Sequence, residues 1–130
     1  MKKYIALFSF ALFLIGCATA QNDNVINQEL DSKKGKEIVL VKVINDSRCP
    51  QGVNCIWAGE ITFEVAAYES GKLVEQTQLT LTPNKEKLVL DWFTKHLPES
   101  KTALKEIGIS PYPKQDKEIN PADYFIKLIY

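Results

Sequence analysis

The chain has 130 residues, with 16 basic and 16 acidic side chains, one histidine and three cysteines. That length supports one small core. The balanced charge offers no electrostatic footprint for nucleic acid, so no nucleic-acid partner is expected.

The N-terminus reads as an export signal. Lys2 and Lys3 precede an apolar run over residues 5–15, broken only by Ser9. The run is too short to span a bilayer and has the positive flank of a signal peptide. Residues 1–16 are therefore read as removed. Leu14, Ile15, Gly16 and Cys17 resemble the lipobox of bacterial lipoproteins. The resemblance implies lipid on Cys17, cleavage just before it, and attachment to a membrane through that N-terminal lipid. The mature chain would keep 114 residues, 14 of them basic and 16 acidic, for a net charge of −2. The alternative is cleavage after Ala18, Thr19 and Ala20, an A-x-A pattern that would release a soluble periplasmic or secreted protein. Both routes export the domain to the cell envelope or beyond, and both leave Cys49 and Cys55 as a pair.

Residues 17–36 are polar, with isolated apolar residues and no sustained period. They read as a tether, with a single β domain over residues 37–130. Residues 38–44 (IVLVKVI) are apolar on both faces except Lys42, as in a central or doubly covered strand. Ile61, Phe63, Val65 and Ala67 alternate with Thr62, Glu64 and Ala66, the pattern of a half-buried strand. Residues 73–81 follow a Ser70, Gly71 turn, with Leu73, Thr77, Leu79 and Leu81 in one phase. Parity then constrains the hairpin. A strict two-residue loop would set Phe63 opposite Gln78. A three-residue loop over 70–72, or a bulge, would instead pair Phe63 with Leu79 and Ile61 with Leu81. Residues 88–97 fit either a strand at the start or a short helix bearing Val89, Trp92, Phe93 and His96. Pro98 ends either. Residues 102–109 read as a strand. So do residues 124–130, with Tyr124, Ile126, Leu128 and Tyr130 on one face. The expected fold is all-β: a small antiparallel sandwich or barrel of about six strands, with room for one short helix near 89–97.

Residues 46–59 (DSRCPQGVNCIWAG) concentrate the reactive side chains. The spacing of Cys49 and Cys55 is not C-x-x-C, which argues against a thioredoxin-like redox motif. Zinc would need two further ligands, and His96 is the sole histidine. The pair is read as a structural disulfide, contributing about 2 kcal/mol by loop closure, with redox sensing as the lesser reading. Trp57 either packs over the disulfide or core, or serves as an exposed aromatic anchor. Arg48 either pairs with Asp46, Glu60 or a loop carbonyl, or reads an anionic ligand. Gly59 allows a bulge or a close backbone approach. Asp91 and Glu99 flank His96 without a metal spacing. There is no phosphate loop and no nucleophile context. No metal, cofactor or catalytic residue is expected.

The block DSRCP…CIWAG resembles one that recurs in small, uncharacterised bacterial secreted proteins and lipoproteins. Members share a later Pro-Tyr-Pro segment, here Pro111, Tyr112 and Pro113, and a strand after an Asn/Asp-Pro turn, here Asn120 and Pro121. The resemblance implies a secreted domain and assigns no catalytic residue. The expected role is a non-catalytic envelope lipoprotein domain that binds an unknown envelope protein or ligand through Arg48 and Trp57. The alternatives are a structural envelope component and a small secreted enzyme or inhibitor.

Overall fold

A computed structural model describes residues 24–31 and 34–130. The leader, Cys17 and the A-x-A segment lie outside the described residues. Among the described residues, six strands form two three-stranded antiparallel sheets. One has the order β2(Lys36–Asp46), β3(Ile61–Glu69), β4(Lys72–Leu81). The other has the order β1(Val25–Ile26), β6(Phe125–Ile129), β5(Glu106–Ser110). The helix α1(Lys87–His96) follows β4. The sheets share one core. Leu40, Ile61, Phe63 and Val65 come from the first, Ile107, Ile109, Ile126 and Leu128 from the second, and Val89 and Phe93 from α1. This is the expected small all-β architecture with its one short helix.

The β3–β4 hairpin keeps both the tight turn and the core register. Ser70 and Gly71 both have positive φ, 51° and 76°, which suits a two-residue loop between right-twisted strands. Glu69 pairs with Lys72 there. A bulge between Ala67 and Tyr68 then shifts the parity, so that Phe63 lies opposite Leu79 and Ile61 opposite Leu81. Leu73, beyond the bulge, leaves the phase of Leu79 and stands exposed. Polar pairs line the outer face: Thr62 with Thr80 at 2.9 Å, and Gln76 donating to Glu64 at 2.9 Å.

Two expectations change, an open one is settled, and one strand is trimmed. First, β2 is an edge strand, and β3 is the central one. Residues 38–40 are indeed buried, but Val41 and Ile44 are exposed. Register shifts between Leu40 and Lys42, and between Val43 and Asn45, break the alternation. Second, the domain begins before Glu37. Val25 and Ile26, read as tether, pair with Lys127 and Ile126, and Ile26 is buried in the core. Two strand residues are too few to show a period, so composition alone concealed them. The Leu40 N–H also donates to the Asn27 carbonyl at 3.0 Å, joining this segment to the β2 edge. Third, residues 88–97 resolve as helix. Val89, Phe93 and His96 recur at helical spacing on its buried face, and Leu97 caps it before Pro98. The strand expected at 102–109 is shorter and later, Glu106–Ser110.

Candidate functional site

Residues 47–60 form a long loop between β2 and β3, and its base is built on Asp46 and Arg48. The Arg48 guanidinium forks onto the Asp46 carboxylate, with Nε donating to Oδ1 and Nη2 to Oδ2, both at 2.7 Å. Nη1 donates to the Ile109 carbonyl at 2.6 Å and Nη2 to the Pro111 carbonyl at 3.0 Å. The Tyr124 hydroxyl donates to Asp46 Oδ2 at 3.0 Å, and the Tyr112 ring lies 4.9 Å from the guanidinium carbon. Arg48 and Asp46 side chains are each only 10% exposed. A bidentate pair with every oxygen engaged is the arrangement that makes a buried charge tolerable.

This cluster ties the loop to the second sheet, because Ile109 belongs to β5 and Tyr124 directly precedes β6. Burial raises the Asp46 pKa, but the hydrogen bonds and charge of Arg48, with the Tyr124 hydroxyl, outweigh it and hold the carboxyl below its ordinary value. Burial and the adjacent Asp46 carboxylate push the Tyr124 phenol up to about 12. Arg48 thus takes the carboxylate and carbonyl partners expected of a structural arginine, and its fork points into the molecule.

Above the base the loop is clamped. Ser47 N donates to the Glu60 carbonyl and Cys49 N to the Ala58 carbonyl, both at 2.9 Å. The Ser47 hydroxyl also reaches the Glu60 carbonyl at 3.0 Å. Gly59 has φ +73°, and a β-carbon there would meet the Ser47 carbonyl carbon at 2.7 Å and its oxygen closer still. Only glycine allows the two sides of the loop to approach this closely. Cys49 and Cys55 are disulfide-bonded, with Cα atoms 5.9 Å apart. Gln51 N donates to the Pro113 carbonyl at 2.9 Å, fastening the flank of the loop to the segment after β5.

The tip is apolar and open. Trp57 is 79% exposed, Ile56 is 103% exposed and Val53 is 39% exposed. Trp57 therefore does not pack over the disulfide or into the core; of its two readings, the exposed one matches the geometry. Residues 49–59 contain no charged side chain. Ile56 escapes the sequence reading although a signal is present: an isoleucine between the cysteine-closed loop and a tryptophan, with no alternating partner.

In sequence His96 is flanked by Asp91 and Glu99, but the structure pairs it with Glu75 of β4. His96 Nε2 lies 2.7 Å from Glu75 Oε2, Trp92 Nε1 donates to Glu75 Oε1 at 3.2 Å, and Lys95 Nζ lies 3.3 Å away. The Trp92 N–H, then His96 and Lys95, hold the Glu75 carboxyl below its usual range. The cluster docks α1 on β4. A separate open cleft of about 880 Å³ lies where β1 meets the segment after α1, lined by Asn24, Ile38, Leu97, Ser100, Thr102 and others. Among the described residues no group of three or more metal-ligating side chains converges. The chain matches no family model, no curated protein and no solved structure.

Proposed function

We propose that this protein is a non-catalytic, lipid-anchored envelope module that presents its stapled loop to a partner. The observation that carries this reading is the contrast within residues 46–60. A base locked by hydrogen bonds, a disulfide and a required glycine supports a tip that leaves an isoleucine and a tryptophan in water. Large apolar groups held rigidly in solvent lose little conformational entropy on binding, and tryptophan is the residue most enriched in binding hot spots. A tip with no role would have no physical reason to combine that exposure with that rigidity.

Lipidation at Cys17 supplies the placement: the domain works at a membrane surface rather than free in solution. Two measurements test the reading. Cys17→Ser should move the protein from the membrane to the soluble fraction. Trp57→Ala should abolish partner association in the native envelope while the melting temperature stays unchanged. Retention of the partner by Trp57→Ala would remove the loop tip from the proposal.

A further inference from the structure

Ile56 and Trp57 project from the loop almost wholly exposed, and together they offer on the order of 350 Å² of surface. Against another protein, or against the same tip of a second copy, that patch makes an interface of about 700 Å², below the roughly 1,200 Å² of a specific complex. A bilayer sets no such minimum, because it closes around a convex apolar group and adds to an anchor already in place. The side chains also suit its boundary layer. Tryptophan concentrates where headgroups meet acyl chains, with its ring among the chains and its N–H toward headgroup acceptors, and isoleucine is among the cheapest side chains to insert. Residues 49–59 carry no charge that insertion would strand. The irregular backbone of the loop limits the depth, since backbone outside a helix or closed barrel is not tolerated in the hydrocarbon. Only the two side chains cross the boundary.

Charges stand on the flank of the loop. Lys114 bridges to Gln51 and to Lys117, with Asp116 and Glu118 exposed in the same turn and Glu60 just past Gly59. This mixed set gives no net pull toward anionic lipid, so apolar burial drives the contact. The tether permits it. Asn24 stands level with Leu128, and Tyr124, four residues before Leu128, reaches Asp46 at the base of the loop. At about 3.4 Å per residue, Asn24 lies some 14 Å along the strands from Asp46, and the rung of Cys49 and Ala58 about 10 Å further. Seating the tip about 5–10 Å deep draws Asn24 closer by that amount, to about 15–20 Å from the acyl boundary with the loop pointing straight down. Cys17 lies seven residues before Asn24, and seven extended peptide steps reach about 25 Å. A lipid on Cys17 therefore leaves the tip free to touch the membrane that holds it, and so short a tether keeps that surface at high local concentration.

We propose that Ile56 and Trp57 seat in the headgroup–acyl boundary of the phospholipid bilayer that holds the Cys17 lipid, a second, reversible contact that fixes how the domain stands on its membrane. This rests on the lipid-anchored binding reading given above and names the bilayer as the partner of the loop.

The test uses the full lipidated chain in its native envelope with a benzophenone amino acid at position 56. Irradiation should attach it to phospholipid, and Trp57→Asp should lower that yield about tenfold or more. A discrete adduct with another protein, or one of doubled mass, would overturn the bilayer as partner but leave the loop a binding site. The lack of any adduct would overturn both. In parallel, the purified lipidated chain carrying Trp92→Phe reports Trp57 emission alone, since the chain has two tryptophans. In phosphatidylcholine vesicles that emission should be blue-shifted and quenched by brominated acyl chains, and adding phosphatidylglycerol should leave the shift unchanged. Emission as red as that of the lipid-free domain in buffer, or a shift that needs phosphatidylglycerol, would overturn the proposal. Cys17→Ser fractionation reads the anchor alone. Two side chains hold a membrane less firmly than a single acyl chain, itself only a marginal anchor, so that variant should be soluble. A chain that stays membrane-bound without Cys17 refutes the anchor and the proposal built on it, whatever the adduct shows.

Discussion

Arg48 and Trp57 belong to one loop, yet one is locked into the junction of two sheets and the other stands in solvent. Both are residue types enriched at binding surfaces. What separates them is the supply of partners. Arg48 lies two residues past the end of β2, where Asp46, Ile109 and Pro111 present acceptors in the plane of its fork. Trp57 lies beyond the last paired rung, where no strand or helix passes over it. The base of the loop is thus a structural element and its tip a presented one. Their substitutions should have opposite consequences.

The largest expected effect is at the base. Arg48→Ala leaves the Asp46 carboxylate buried without its cation, which costs about 3–5 kcal/mol. In a domain of this size that lowers the melting temperature by roughly 15 °C or more. Differential scanning calorimetry measures it, and a drop of only a degree or two would mean that the fork is open to solvent. Gly59→Ala comes next, at about 2–4 kcal/mol, because the new β-carbon collides with the Ser47 backbone at a positive φ. Its amide protection should fall at residues 47–60 before the rest of the sheet.

Reducing the disulfide should cost about 2 kcal/mol. A melting shift below about 1 °C on adding reductant would show that the rungs alone hold the loop. The pH profile follows from the same cluster. Asp46 has a lowered folded pKa, so its contribution is complete above its unfolded value near 3.8 and drains as the pH falls toward the depressed one. Tyr124 has a raised pKa, so its contribution is lost as the pH climbs from about 10 toward about 12. Asp46→Asn should remove the acid limb and lessen the alkaline one, whereas Tyr124→Phe should remove the alkaline limb and soften the acid one. The smallest effect belongs to the tip: Trp57→Ala should change stability by less than about 0.5 kcal/mol. A larger loss would return Trp57 to a packing role and erase the contrast.

The fold was largely readable from alternation. Ile61, Phe63, Val65 and Ala67 announce the buried face of β3, and the parity of the hairpin by itself requires either an added residue or a bulge. Isolated features were harder. Val25 and Ile26 form a strand only because β6 offers an edge, and no two-residue pattern can signal that. The apolar run over residues 38–44 suggested a central strand because hydrophobicity does not register bulges, which turn Val41 and Ile44 outward. At the loop, cysteine spacing was enough to propose the staple. The roles of Arg48 and Trp57 depended on carbonyls more than 60 residues away and on the lack of a neighbour, and neither is encoded locally.

The pairing of Val25 and Ile26 with β6 also decides where the chain tolerates a cut. A protease acting before Asn24 would free the folded domain with its loop intact. One acting between Ile26 and Lys36 would strip β6 of a partner strand and leave the backbone donors and acceptors of an apolar strand facing water. Such an edge is a template for pairing with other chains. Two cuts a few residues apart would therefore yield, in one case, an intact folded domain, and in the other an aggregation-prone one.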